Sequence, residues 1–183
     1  MKYLAILSAL ALAPALSGCG LHPLYAGGSS GPVAGALGQV EVAPIAGKNG
    51  WLMATALRDR LPSNGAPAIY RIDIRLDDQI TGLGVRTDDS VSRERRTLRA
   101  RYQLVRIGDN SVLLDATAGS DAGIDVVRSE YATIAAENTA LERLSGIVAD
   151  QIVARIALYA RNTPAVAAAP QATPPAQSTS PAK

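Results

Sequence analysis

The sequence predicts an α+β domain, an antiparallel or mixed four-stranded sheet with two helices packed on one face. Three observations carry that expectation. Apolar residues alternate with period two in two separate stretches, they recur at helical spacing in two others, and the stretches run strand, helix, three strands, helix. Runs of neighbouring strands with few crossovers favour segregated layers over alternating βαβ units.

The first strand falls within residues 39–45, where Val40 and Val42 share a side and Pro44 suits only an edge or a strand end. Asn49 is a candidate cap for a helix whose Met53, Leu57 and Leu61 recur every four residues before Pro62 stops it. In residues 68–80, Tyr70, Ile72, Ile74 and Leu76 alternate with Arg71, Asp73, Arg75 and Asp77, the signature of an antiparallel sheet covered on one side. Residues 81–90, rich in Gly, Asp and Thr, read as a loop. Leu98, Ala100, Tyr102 and Leu104 then resume the alternation. Gly108, Asp109 and Asn110 supply turn chemistry, and Val112, Leu114, Ala116 and Ala118 continue on the returning strand. A long helix over residues 129–161 has Ser129 as its cap and a stripe of Ile134, Leu141, Leu144, Val148, Ile152, Ile156 and Tyr159. Its other positions carry Glu137, Glu142, Arg143, Asp150 and Arg155, so it lies on a sheet and does not cross a bilayer.

The flanks have different compositions. Residues 26–38 are mostly glycine, serine and alanine and read as a tether, and residues 163–183 alternate alanine and proline with Gln, Ser and Thr, as in an extended tail. The expected division is a leader over 1–18, a lipidated start and tether over 19–38, one domain over 39–162 and a tail over 163–183.

Composition removes several function classes. The chain has 183 residues, no phenylalanine, one tryptophan and six tyrosines, so core volume comes from Leu, Ile, Val and Tyr. Its formal net charge is only +2, but six arginines fall between Arg93 and Arg106, where an anionic partner is to be sought. The single histidine, His22, lies outside any core, which leaves no histidine-based metal cluster or catalytic triad, and no cofactor is implied.

At the amino terminus Lys2 precedes an apolar run over residues 3–16, too short for a helix that needs roughly 20 residues to span a membrane. Leu16, Ser17 and Gly18 then place small residues before Cys19, the pattern of an export signal. The lone cysteine cannot form an internal disulfide. The segment Leu16-Ser17-Gly18-Cys19 resembles the bacterial lipobox, which implies cleavage before Cys19 and lipidation of its sulfur. Gly20 stands where retained lipoproteins commonly carry aspartate, and this implies an outer-membrane address. The competing reading is an ordinary secretory signal beside a cysteine.

Three segments resemble the LptE family of LPS-assembly lipoproteins, particularly its alphaproteobacterial branch. They are CGLHPLY at residues 19–25, GWLMATALRDRL at residues 50–61, and the run beginning SEYATIAAENTALERL at residue 129 and ending QIVARIALYAR at residue 161. The most specific parts are Pro23-Leu24-Tyr25 and Ile156-Ala157-Leu158-Tyr159; His22 and the long Ala/Pro tail depart from the pattern. The resemblance implies a non-enzymatic subunit of the outer-membrane LPS translocon that plugs the lumen of an LptD-type β-barrel, assists its assembly and helps LPS reach the outer leaflet.

Candidate contacts follow from strand parity. With Leu98, Ala100, Tyr102 and Leu104 facing the core, Arg93, Arg95, Arg99 and Arg101 form a basic ladder on the opposite face. Planar forked donors suit phosphate, so the ladder is a candidate LPS or barrel contact; the alternative is a solvated face balanced by Asp73 and Asp77. Pro23, Leu24 and Tyr25 are candidate membrane or barrel anchors, and Trp51 is either an interface anchor or core. Asp77-Asp78 and Asp88-Asp89 imitate carboxylate dyads, but adjacent strand residues point to opposite faces and solvated ends are the simpler reading. Arg95-Arg96 without interleaved aromatics in an exported chain argues against nucleic acid. A periplasm-facing scaffold for another envelope complex is the competing function, and a lipid-modifying enzyme lacks a nucleophile set or phosphate loop.

Overall fold

The period-two stretches form one continuous sheet in the computed structural model, which describes residue 28 and residues 31–63, 65–85 and 91–163. Its strands are β1 (Val40–Val42), β2 (Tyr70–Val85), β3 (Val91–Arg106) and β4 (Val112–Asp125), in spatial order β1-β2-β3-β4. β1 runs parallel to β2, and the other neighbours are antiparallel. The sheet is therefore mixed, and a single parallel pair exists because a helix returns the chain between β1 and β2.

The helices are α1 (Pro32–Leu37), α2 (Gly47–Arg58) and α3 (Glu130–Asn162). Two of them were anticipated. The third corrects the reading of 26–38 as a tether, because residues 32–37 are helical and Val33, Ala34, Ala36 and Leu37 are buried. Pro32 is suited to a first turn, Val33 and Leu37 stand four apart on one side, and Gly38 closes the helix. Glycine and alanine content concealed an apolar pair sufficient to dock one turn and a half.

Other boundaries moved for local reasons. α2 starts at Gly47 after Ala46, so Asn49 is not its cap; the Asn49 amide instead donates to Asp78 Oδ2 at 2.6 Å. A Cβ on Gly50 would stand 2.5 Å from the Ile45 carbonyl oxygen, so the chain can turn into α2 this tightly only at a glycine. β2 extends to Val85 through residues that read as a loop, because Thr81, Gly82, Leu83 and Val85 pair with Arg95, Glu94, Arg93 and Val91. Ladder bonds outweigh composition here. A register shift at Leu104/Val105 opposes Val105 to Val112 and Leu104 to Leu114, which leaves Val112 exposed and out of the stripe assigned to it. Ser129 caps α3 as expected, accepting from the Ala132 N–H.

One core lies between the helices and a single face of the sheet. Tyr70 and Ile72 of β2 and Leu98, Ala100, Tyr102 and Leu104 of β3 meet Met53 and Leu57 of α2 and Leu141, Leu144, Val148, Ile152 and Ile156 of α3. Ala116, Ala118 and Ala122 of β4 are small, which lets α3 approach that strand closely. α2 and α3 run in the same direction, since Lys48 bonds Asn138 and Arg60, just past α2, bonds Asp150. Ile134, the first residue of the expected stripe, is exposed because α3 begins before α2 does.

A polar cluster holds this layer to the sheet. Arg96 of β3 faces the helices and is 8% exposed, with its guanidinium on Asp78 of β2 in a two-point contact of 2.8 and 2.5 Å. Its remaining nitrogen donates to the Glu137 carbonyl of α3 at 2.8 Å, and Asp78 accepts from Asn49 of α2. Four elements thus meet at one ion pair. The reading of Asp78 as a solvated strand end is corrected: its side chain is 10% exposed, because even-numbered β2 positions turn toward the helices. Hydrogen bonding to Asp78 raises the Arg96 pKa further above its ordinary value, so the guanidinium stays charged.

Arg96→Ala strands a carboxylate in that interior and is expected to cost about 3–5 kcal/mol in urea unfolding. Replacing both partners by apolar residues, Arg96→Met with Asp78→Leu, recovers most of the loss. An Arg96→Ala cost below about 1 kcal/mol would show that the pair is effectively solvated.

Candidate functional site

Among the described residues, the opposite face of the sheet carries no helix. On β2 its odd-numbered positions are Arg71, Asp73, Arg75, Asp77 and Gln79; on β3 they include Arg93, Arg95, Thr97, Arg99, Arg101 and Gln103; on β4 they are Asp115, Thr117, Gly119, Asp121, Gly123 and Asp125. Register makes these one surface, since Arg75 lies across from Arg101, Asp77 from Arg99 and Arg93 from Asp125. The four arginines of the β3 ladder are exposed on this face, the placement that parity predicted.

Sequence reasoning paired the ladder with the wrong strand. Most of its counter-charges come from β4: Arg101 contacts Asp115 at 3.0 Å, Arg93 contacts Asp125 at 3.0 Å and Arg95 contacts Asp121 at 3.8 Å. Asp73 is taken by Arg71 of its own strand, and Asp77 accepts from Gln79. All these pairs are open to solvent, where such contacts are individually weak.

Two cations stand apart. Among the described residues neither Arg75 nor Arg99 has an acidic group within 4 Å. Arg99 lies across from Asp77, but its side chain passes over Gly119, where an added Cβ would stand 3.2 Å from Arg99 Cγ. With no side chain at Gly119, β4 leaves room for the Arg99 stem beside that strand. Arg75 faces Arg101 across the ladder, and a depression of about 380 Å³ beside them is lined by Ala43, Pro44, Asp73, Ile74, Arg75, Arg101 and Gln103. The face therefore offers forked donors that no carboxylate occupies, suited to an anionic ligand. Arg75 was missed because it was counted only as the polar half of an alternation.

The other candidates separate. Trp51 is 63% exposed, which removes the core alternative and leaves it on the surface of α2. Cys19, Pro23, Leu24, Tyr25, Asp88 and Asp89 lie outside the described residues. Among the described residues there is no group of three or more His, Cys, Asp or Glu arranged to hold a metal ion, and no helix is long and apolar enough to cross a membrane.

Asp115 reports on the order of this face. Hydrogen bonds from Arg101 and, second, from Gln103 hold its carboxyl below the ordinary range. A depressed carboxyl adds stability above its unfolded value and loses it as pH falls through its folded value. Arg101→Ser is expected to move the Asp115 midpoint upward, as followed by carbon-detected NMR titration; an unmoved midpoint would show that the pair does not persist in solution.

Comparison with known proteins places this geometry. No curated protein sequence matches the chain. Among solved structures, it is similar to a lipoprotein from Caulobacter crescentus at 23% identity and a TM-score of 0.62, covering 72% of this chain and 97% of that one. It is also similar to the rare lipoprotein B from Shewanella oneidensis, at 12% identity and a TM-score of 0.51 over 68% of this chain and 96% of that one. A minor lipoprotein from Acinetobacter baumannii follows at 13% identity, with a TM-score of 0.51 over 65% and 88% of the two chains. These likenesses concern the fold. The family itself is shown by sequence: residues 37–156, more than half of the chain, match the pattern of LptE, described as lipopolysaccharide-assembly, and the chain belongs to that family.

Proposed function

We propose that this chain is a non-catalytic, lipid-anchored subunit of the outer-membrane LPS translocon, seated in the lumen of an LptD-type β-barrel. In that place it assists assembly of the barrel and passage of LPS to the outer leaflet. Family membership supplies the general role in lipopolysaccharide assembly. The observation that favours direct contact is that sheet face, on which, among the described residues, Arg75 and Arg99 have no carboxylate within 4 Å.

Lipidation of Cys19 supplies the anchor in this reading. At about 0.8 kcal/mol per buried CH₂, several acyl chains hold a protein to its membrane permanently. Pro23, Leu24 and Tyr25 follow the lipid and contact the membrane or the barrel wall. On the domain, Arg93, Arg95, Arg99 and Arg101 meet LPS or barrel. Within that ladder Arg99, joined by Arg75, takes phosphate first, because binding there breaks no existing ion pair. Arg93, Arg95 and Arg101 must release Asp125, Asp121 and Asp115, exposed contacts that cost little to exchange.

Affinity purification of the chain from detergent-solubilised envelopes is expected to bring down a large β-barrel in a one-to-one ratio. Isolation alone, or with a different complex, would instead indicate a periplasm-facing scaffold. Arg75→Ser with Arg99→Ser is expected to weaken LPS binding by the purified chain by more than about ten-fold, since each charge-assisted hydrogen bond lost contributes about 1.5–3 kcal/mol. The loss shrinks in high salt. Equal binding by the double variant would remove these two arginines from the contact.

A further inference from the structure

Among the described residues β4 is an edge strand of the sheet, and bonds at both of its ends reveal which of its groups face outward. The Arg106 N–H donates to the Ser111 carbonyl at the turn, and the Val126 N–H donates to the Ser92 carbonyl at the far end. Even-numbered β3 residues therefore bond toward β4. Through the register, Ala116, Ala118, Ser120, Ala122 and Ile124 bond back toward β3. The odd positions of β4 from Asp115 to Asp125 turn N–H and C=O outward. Gly119 agrees, because its N–H donates to the Gln151 side chain of α3 at 3.2 Å.

Such an edge invites another strand unless it is guarded. The guard here is slight. One outward N–H is covered by one exposed glutamine, and the three outward aspartates are tied back to Arg101, Arg95 and Arg93. Gly119 and Gly123 remove two side chains that would otherwise crowd an incoming backbone.

We infer that β4 pairs antiparallel with β4 of a second copy of this chain, in the register that sets Gly119 opposite Gly119. Charge selects the register. Ladder bonds require odd positions to meet odd positions. Centring the pair on Ala118 sets Asp115 against Asp121, centring it on Ser120 sets Asp115 against Asp125, and centring it on Asp121 sets that residue against itself. Centring on Thr117 avoids these clashes but drops residues 123–125 from the ladder. With Gly119 at the axis, Asp115 meets Gly123 and Asp121 meets Thr117, whose hydroxyl is a donor for the carboxylate.

The helix side of the seam is compatible with this pairing. Ala118 meets Ser120 and Ala116 meets Ala122, all small residues, beneath a cleft of about 360 Å³ lined by Tyr102, Ala116, Ala118, Gln151 and Arg155. A two-fold axis through Gly119 brings the two α3 flanks together antiparallel. Gln151 leaves Gly119 to the partner strand, and Ile147, 39% exposed and one turn away, gains cover.

The experiment needs this chain alone, so its outcome is separate from that of the barrel reading. Full-length chain purified in detergent is followed by sedimentation velocity across a concentration series, and a reversible two-chain species is expected. Thr117→Cys with Asp121→Cys is expected to give a covalent dimer under mild oxidation, since directly opposed strand residues stand about 5.5 Å apart, within disulfide reach. The parent chain, with Cys19 alone, is the control. Gly123→Asp points into open space in the single chain but opposes Asp115 in the pair. It is expected to raise the dimer Kd about ten-fold at low salt with the melting temperature unchanged. A single-chain mass at every concentration, no crosslink beyond that of the parent, or an unmoved Kd in Gly123→Asp would each overturn the inference.

Discussion

The buried pair between Arg96 and Asp78 ties both long helices to the face of the sheet that its apolar residues define. An isolated ion pair in an apolar interior is seldom a net source of stability, because desolvation offsets the attraction. Here the same guanidinium also holds the Glu137 carbonyl of α3, and the same carboxylate holds Asn49 of α2. Sliding either helix along the sheet would take one hydrogen bond from the pair, that of Arg96 to the Glu137 carbonyl or that of Asn49 to Asp78. Apolar contacts between alanines, leucines and isoleucines tolerate small shifts, whereas directed hydrogen bonds to a buried ion pair do not. The cluster fixes the helix layer in place on the apolar face, and the alternation leaves the polar positions on the other.

That bare face is arranged by register. Arginines of β3 and aspartates of β4 alternate so that most charges find a partner across the ladder, which keeps a dense array of cations from repelling itself. Glycine at 119 breaks the pattern locally and leaves room for the Arg99 stem beside β4. The same glycine opens the backbone edge. One small residue thus stands beside both a cation without a counter-charge and a strand without crowding, and the two proposals made for this protein rest on opposite sides of it.

Much of this was legible from residue order. Period two in residues 68–80 and 98–104 placed the strands and told which arginines face outward, because alternation is a direct consequence of strand geometry. The spacing of Met53 and Leu57 and the long stripe of α3 likewise placed two helices. Ion pairing was not legible, since partners such as Arg101 and Asp115 are joined by a register that only the folded ladder defines. The parity of Leu98 and Ala100 also turns Arg96 inward, but its partners could not be read locally, since Asp78, Asn49 and Glu137 come from three other elements. The extension of β2 through Gly82 and the folding of α1 from Gly/Ala-rich sequence show tertiary pairing overriding local propensity. Family membership was legible from the element order and the helix segments beginning at residues 50 and 129, which overlap the matched residues 37–156; the segment at 19–25 lies outside that match.

The central claim is that the helix-free face is the contact surface in the assembled envelope complex. Arginine modification by phenylglyoxal, mapped by mass spectrometry on the isolated chain and on the complex, tests it most directly. Strong protection of Arg75, Arg95, Arg99 and Arg101 in the complex, with Arg143 and Arg161 of α3 still reactive, is the predicted result. Protection confined to the helix arginines, with the sheet face labelled equally in both states, would contradict the account.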